Sequence, residues 1–134
     1  MLEMEINWLA VLATTVGYMI VGALWYGPFF QKPWMQLTGV TEELAKAGAG
    51  KAYAMMFIVA LISVIVLAMF VLTVNAETFV EGMVIGFWIW LGFQATIMMN
   101  GVIFEKKPFK LYMINVGYNL VMLLISGGVL ANWK

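Results

Sequence analysis

Residues 82–130 read GMVIGFWIWLGFQATIMMNGVIFEKKPFKLYMINVGYNLVMLLISGGVL. Two apolar runs, Gly82–Phe104 and Leu111–Leu130, flank one charged break, Glu105–Lys110. A hydrocarbon layer of roughly 30 Å is crossed by about 20 apolar residues in a helix. Each run meets that length without an interior charge, so the stretch reads as a transmembrane hairpin. Two further runs qualify on the same grounds, Asn7–Tyr26 and Ala52–Val74. The expected fold is all-α: a single integral membrane domain over residues 1–134, built as a transmembrane four-helix bundle with spans of about 7–26, 52–74, 82–104 and 111–130.

Composition points the same way. The 134 residues are 64% hydrophobic, with seven lysines, no arginine and seven acids; mean hydropathy is +0.96. A soluble domain of this size could not cover so much apolar surface. Net charge is zero, which leaves no basic field for nucleic acid. Histidine and cysteine are absent, removing thiolate nucleophiles, histidine acid–base chemistry and the usual zinc, iron–sulfur and haem ligands. No metal and no cofactor is expected. The twelve methionines read as packing rather than as copper ligands. The amino terminus, MLEMEINWLAV, carries glutamates where a signal peptide would carry positive charge, so the first run reads as a retained helix.

The lysines orient the bundle. Lys32, Lys46 and Lys51 fall in the first connection, and Lys106, Lys107 and Lys110 in or beside the third. The other side holds Lys134 with Glu3, Glu5, Glu77 and Glu81. The positive-inside rule then places connections one and three in the cytoplasm and both termini outside. Trp8, Phe79 and Trp133 would mark the outer interface; Trp25, Tyr26, Trp34, Tyr53, Phe109 and Tyr112 the inner one. Interfacial anchoring is the preferred reading of these rings over an aromatic cage for a cation. In the first connection, Thr41 followed by Glu42 and Glu43 looks like a helix N-cap. The stretch Pro33–Lys46 is expected to form a short amphipathic cytoplasmic element, with Gly48 and Gly50 breaking the chain after it.

Polar residues inside the hairpin form a pattern. Gly82, Gly86, Ile89, Phe93, Thr96 and Asn100 recur at steps of four and three, as do Tyr112, Asn115, Asn119, Met122 and Ser126. Centring the turn between Lys107 and Pro108 pairs residues whose numbers sum to about 215. Asn100 then meets Asn115, Thr96 meets Asn119, Ile89 meets Ser126, and Glu105 meets Lys110. This predicts a helix–helix polar seam of Thr96, Asn100, Asn115 and Asn119, with Gly82 and Gly86 letting backbones approach near Gly127 and Gly128. Gln94 and Glu105 lie within about 20° of each other and away from that seam. Thr14, Tyr18, Gly22 and Trp25 make a polar stripe on the first helix that could receive them. A vestibule between helices one and three, lined by Gln94, Glu105, Thr14, Tyr18 and Trp25, is the candidate site. The plainer reading is that Glu105 pairs with an interfacial lysine.

The segments NWLAV (7–11), GALWYGP (22–28), KPWM (32–35), WLGF (90–93), Phe104–Glu105, KPFKL (107–111) and INVGY (114–118), in this order and spacing, carry a resemblance. The chain resembles the bacterial membrane family catalogued as domain of unknown function 1761, over almost its full length. The resemblance implies a small four-span protein of the bacterial inner (cytoplasmic) membrane and brings no established activity. Two functions compete. One is a small permease or channel, expected to be a homo-oligomer, with the neutral polar groups lining a path and Glu105 attracting cations at its mouth. The other is a non-catalytic lipid-binding, scaffold or accessory membrane subunit. Membrane lipid is the expected partner in both, and no small-molecule ligand is named by the sequence. An enzyme is not expected, because Glu105 has no second catalytic group near it in sequence.

Overall fold

A computed structural model describes residues 5–133; Glu3 and Lys134, counted above among the terminal charges, lie outside the described residues. Among those residues the fold is all-α, as expected, with no strand. Four helices are long and apolar enough to cross a membrane, and they are numbered here as spans 1 to 4: Trp8–Phe29, Ala49–Val74, Phe79–Ile103 and Phe109–Asn132. The helical elements are α1 (Trp8–Leu24), α2 (Gln31–Thr38), α3 (Glu42–Ala47), α4 (Ala49–Val74), α5 (Phe79–Trp90), α6 (Thr96–Ile103) and α7 (Phe109–Asn132).

Local chemistry sets the helix ends. Asn7 caps α1, its side-chain oxygen accepting from the Ala10 N–H at 3.1 Å. Span 1 continues past Tyr26 through a wide turn over Trp25–Phe29, where the Phe30 N–H reaches the Trp25 carbonyl at 2.9 Å. Gly27 leaves helical backbone angles there (φ −101°, ψ −105°) and Pro28 has no N–H to continue the ladder; the chain kinks toward α2. The expected amphipathic element is two helices rather than one. Gly39, at φ 76°, ends α2 in the left-handed region, and the Thr41 hydroxyl caps α3 by accepting from the Leu44 N–H at 3.2 Å. Gly48 alone separates α3 from α4, so Gly50 lies inside α4 and not in a break before it. Beyond α4, Asn75 at φ 60° closes the helix, and Thr78 and Glu81 open α5 with paired caps.

Span 4 is the centre of the bundle. Half of its most apolar stretch is buried within the chain, against 17–28% for the other three. Its helix, α7, packs on α5, α1 and α4. The closest approach is to α5: a Cβ on Gly82 would overlap the Gly127 carbonyl oxygen, and one on Gly86 the Leu123 carbonyl oxygen. These small residues do what their four-residue spacing predicts. Asn7 donates to the Trp133 carbonyl at 3.4 Å, so both described termini share one end of the bundle. The opposite, lysine-bearing end holds α2, α3 and the turn before α7.

Within span 3 the predicted seam breaks at Leu91–Ala95, a π-helical turn between α5 and α6. A π turn takes one extra residue, which rotates everything beyond it by about 100° relative to an unbroken helix. Phe93 is consequently 68% exposed, and Thr96 and Asn100 are exposed too. The inward face passes instead to Gln94, Ala95, Met98 and Val102. At the terminal end Gly82 meets Gly127 and Gly86 meets Leu123, pairs summing to 209 rather than 215, a larger register shift than the one extra residue of the π turn accounts for.

Candidate functional site

Spans 1 and 3 are fastened to α7 by aromatic donors that reach main-chain carbonyls. Trp25 Nε1 donates to Ile114 O at 3.0 Å and Trp90 Nε1 to Val116 O at 2.8 Å. Ile114 and Val116 stand about 200° apart around a helix. Spans 1 and 3 therefore attach to different faces of α7 rather than to each other. Tyr118 Oη donates to Tyr18 O at 3.0 Å, and Tyr112 Oη to Ala95 O at 2.8 Å. Gly22 makes room for the first of these, since a Cβ there would stand 2.8 Å from Tyr118 Oη. Bonds of this kind between membrane helices contribute roughly 0.6–2 kcal/mol each.

That arrangement disperses the five vestibule candidates. Tyr18 and Trp25 stay together, both packed on the Tyr118 ring with centroids at 5.8 and 6.2 Å. Thr14 bonds to its own Ala10 carbonyl at 2.6 Å and faces a small cavity of about 160 Å³ opposite Ser126. Gln94 lines a groove of about 250 Å³ with Ser63, the rest of the lining being apolar. Glu105 lies in a cleft of about 540 Å³ between α6 and α7. The seam residues divide likewise. Asn100 and Asn115 both line the cleft, but in place of the predicted amide pair Asn115 accepts from Tyr26. Thr96 instead bonds to Gly92 O of its own helix at 2.7 Å, and Asn119 donates to Met98 Sδ at 3.3 Å.

The cleft at the lysine end is built from both sides of the hairpin turn. Lys106 adopts φ 58°, folding the chain so that the Lys107 N–H reaches Gly101 O at 3.0 Å. This brings Lys107 Nζ, not the expected Lys110, to 3.3 Å from Glu105 Oε2. The plainer reading of Glu105 thus holds with a different lysine. Both side chains are more than half exposed, so the pair adds little stability and leaves both charges at the cleft mouth. Deeper in, Asn115 Oδ1 accepts from Tyr26 Oη at 2.7 Å. The bond commits the amide oxygen and leaves the Asn115 NH₂ donors for the cleft. Ile97, Val102 and Leu111 supply apolar wall.

Tyr26 also lines a second cavity of about 310 Å³, bordered by span 1, α2, α3, α4 and α7. The Tyr26–Asn115 bond therefore stands between two cavities at one end of the bundle. Among the described residues no three carboxylates gather as a metal site.

Tyr26, Trp34, Trp90 and Tyr118 were not legible as site or fastening residues. Their signal lay in the short segments quoted above, which meet in space. GALWYGP contacts INVGY through Gly22–Tyr118, Trp25–Ile114 and Tyr26–Asn115. Trp34 of KPWM packs edge-to-face on Tyr26 with centroids at 5.7 Å, and Trp90 of WLGF bonds to Val116. No curated protein and no solved structure matches the chain. The family described as "Protein of unknown function (DUF1761)" matches residues 9–131. With nearly its whole length covered by that match, the chain belongs to the DUF1761 family.

Proposed function

We propose that this is a non-catalytic integral membrane protein that holds one amphiphile per chain in the cleft between α6 and α7. The observation that carries this reading is the orientation of Asn115. Tyr26 takes its oxygen, so its NH₂ serves the cleft beside the Asn100 amide. Such donors suit ester or phosphate oxygens. Lys107 adds a cation for phosphate, and Glu105 an acceptor for a primary ammonium. A zwitterionic headgroup with its chain along Ile97, Val102 and Leu111 satisfies every part of this lining. The terminal half of the same interface favours binding over conduction through one chain, since the Gly82 and Gly127 backbones meet there. Native mass spectrometry from nanodiscs tests the reading. The wild type should retain one phosphatidylethanolamine per chain, and Asn100→Leu and Glu105→Gln should each lower retention about tenfold relative to phosphatidylglycerol. Equal retention of both lipids by all three proteins would remove the basis for this site.

A second reading, a homo-oligomeric permease, is favoured by Gln94. The Gln94 amide, half-buried in a groove whose other polar side chain is Ser63, could take a second copy as a further partner. Gln94→Leu should then abolish both a cross-linked dimer and monovalent cation flux in proteoliposomes; unchanged flux would end this reading. For either function we infer the orientation set by the lysines, with their end in the cytoplasm and both termini outside a bacterial inner membrane.

A further inference from the structure

The 310 Å³ cavity has a chemistry distinct from that of the cleft. Three elements each give it a ring and a thioether: Tyr26 and Met19 from span 1, Trp34 and Met35 from α2, Tyr53 and Met56 from α4. The fourth ring, Tyr118, comes from α7. Along the chain Tyr26, Trp34 and Tyr53 look like interfacial anchors; the fold gathers them with Tyr118 around one space of ligand size. Three of the rings are held in place, whereas Tyr53 is 59% exposed. Tyr118 and Tyr26 are tethered by their hydroxyls to Tyr18 and Asn115, and Tyr26 packs against both Trp34 and Tyr118.

Among the described residues no charged side chain lines this space. An anion would leave water and meet no cation. A small, strongly hydrated cation would meet too few oxygens to replace its hydration shell. A weakly hydrated organic ammonium loses less on leaving water, and the negative faces of tyrosine and tryptophan attract it. Ala45 of α3 also borders the cavity, but Glu42 and Glu43 of that helix do not line it, and Glu42 is paired with Lys46 at 3.9 Å. Lys32, Lys46 and Lys51 are exposed and none of them lines it. We propose that this cavity is a binding site for a quaternary or similarly weakly hydrated organic ammonium group, separate from the amphiphile cleft across the Tyr26–Asn115 wall.

The test uses the full chain in maltoside micelles with ¹³C-methyl methionine, titrated with choline and with its neutral isostere 3,3-dimethylbutan-1-ol. Choline should shift the Met19, Met35 and Met56 methyl signals saturably, at a half-saturating concentration at least about tenfold below that of the alcohol. Met98 lines the cleft instead, so its signal reports that site independently. Tyr53→Leu and Trp34→Leu, which remove rings outside the bundle core, should each weaken choline about two- to thirtyfold. Phosphatidylcholine doped into phosphatidylglycerol nanodiscs distinguishes the source: a response to the lipid alone assigns the ammonium to a headgroup, and a response to free choline assigns it to a solute. Either supports the site. No response of the three methyl groups to choline or to phosphatidylcholine, equal responses to choline and the alcohol, or unchanged choline binding in both ring variants would overturn it.

Discussion

Replacing Gly82 by alanine tests the close packing of α5 on α7. A Cβ at this position would stand 2.5 Å from the Gly127 carbonyl carbon and 2.8 Å from Ala131 Cβ, where ordinary contact begins at 3.4 Å. The obstructing atoms are mainly backbone, so no side-chain rotation relieves the overlap and α5 must move away from α7. A separation of about 1 Å forfeits up to about half of the dispersion energy of each contact it stretches. Together with the strain of overpacking, this gives a destabilisation of about 1–3 kcal/mol. Gly17→Ala is the matched control, because nothing lies within 4 Å of its Cβ position; there the helix should be unchanged or gain up to about 1 kcal/mol. Unfolding both variants in mixed dodecyl sulfate micelles, followed by helical circular dichroism, measures the difference. A Gly82→Ala protein within about 0.5 kcal/mol of Gly17→Ala would refute the backbone contact between α5 and α7.

Other substitutions separate further elements of the structure. Trp90→Phe removes the donor to Val116 O and should cost roughly 0.6–2 kcal/mol in the same unfolding assay, whereas Trp88→Phe, at an exposed ring, should change stability by less than about 0.5 kcal/mol. Ser126 Oγ is fully buried without a hydrogen-bond partner among the described residues. Ser126→Ala should therefore be at least as stable as the wild type, and a loss above about 1 kcal/mol would mean the hydroxyl has a partner. Because the chain has no cysteine, single cysteines report topology cleanly. Replacements of Lys51 and Lys106 should be shielded from an impermeant maleimide in intact cells and one at Glu77 labelled, with the reverse pattern contradicting the proposed orientation.

The four spans were legible because charge-free runs of adequate length have few alternatives in a chain this apolar. The Thr41 cap and the Gly82–Gly86 approach were legible because each depends on residues a few positions apart. What lay beyond the sequence was set by one extra residue. Nothing in LGFQA announces a π turn, yet that turn moves Thr96 and Asn100 off the inward face and replaces them with Gln94 and Met98. The vestibule failed to assemble for a related reason. It assumed that helices one and three touch, whereas Trp25 and Trp90 tie them to different faces of α7. Side chains that bond to distant residues leave no periodic trace, so Tyr26 read only as an aromatic near an interface and Tyr118 only as part of INVGY.

Selective occupancy of the cleft by a zwitterionic lipid tests the proposed function most directly. A photoreactive benzophenone residue at Ile97, exposed on the cleft wall, is compared with one at Val84, exposed on α5 away from it. In nanodiscs of equal phosphatidylethanolamine and phosphatidylglycerol, the Val84 adducts should mirror the bilayer composition and the Ile97 adducts should be dominated by phosphatidylethanolamine. Adducts of bulk composition at both positions would contradict a headgroup-selective site between α6 and α7.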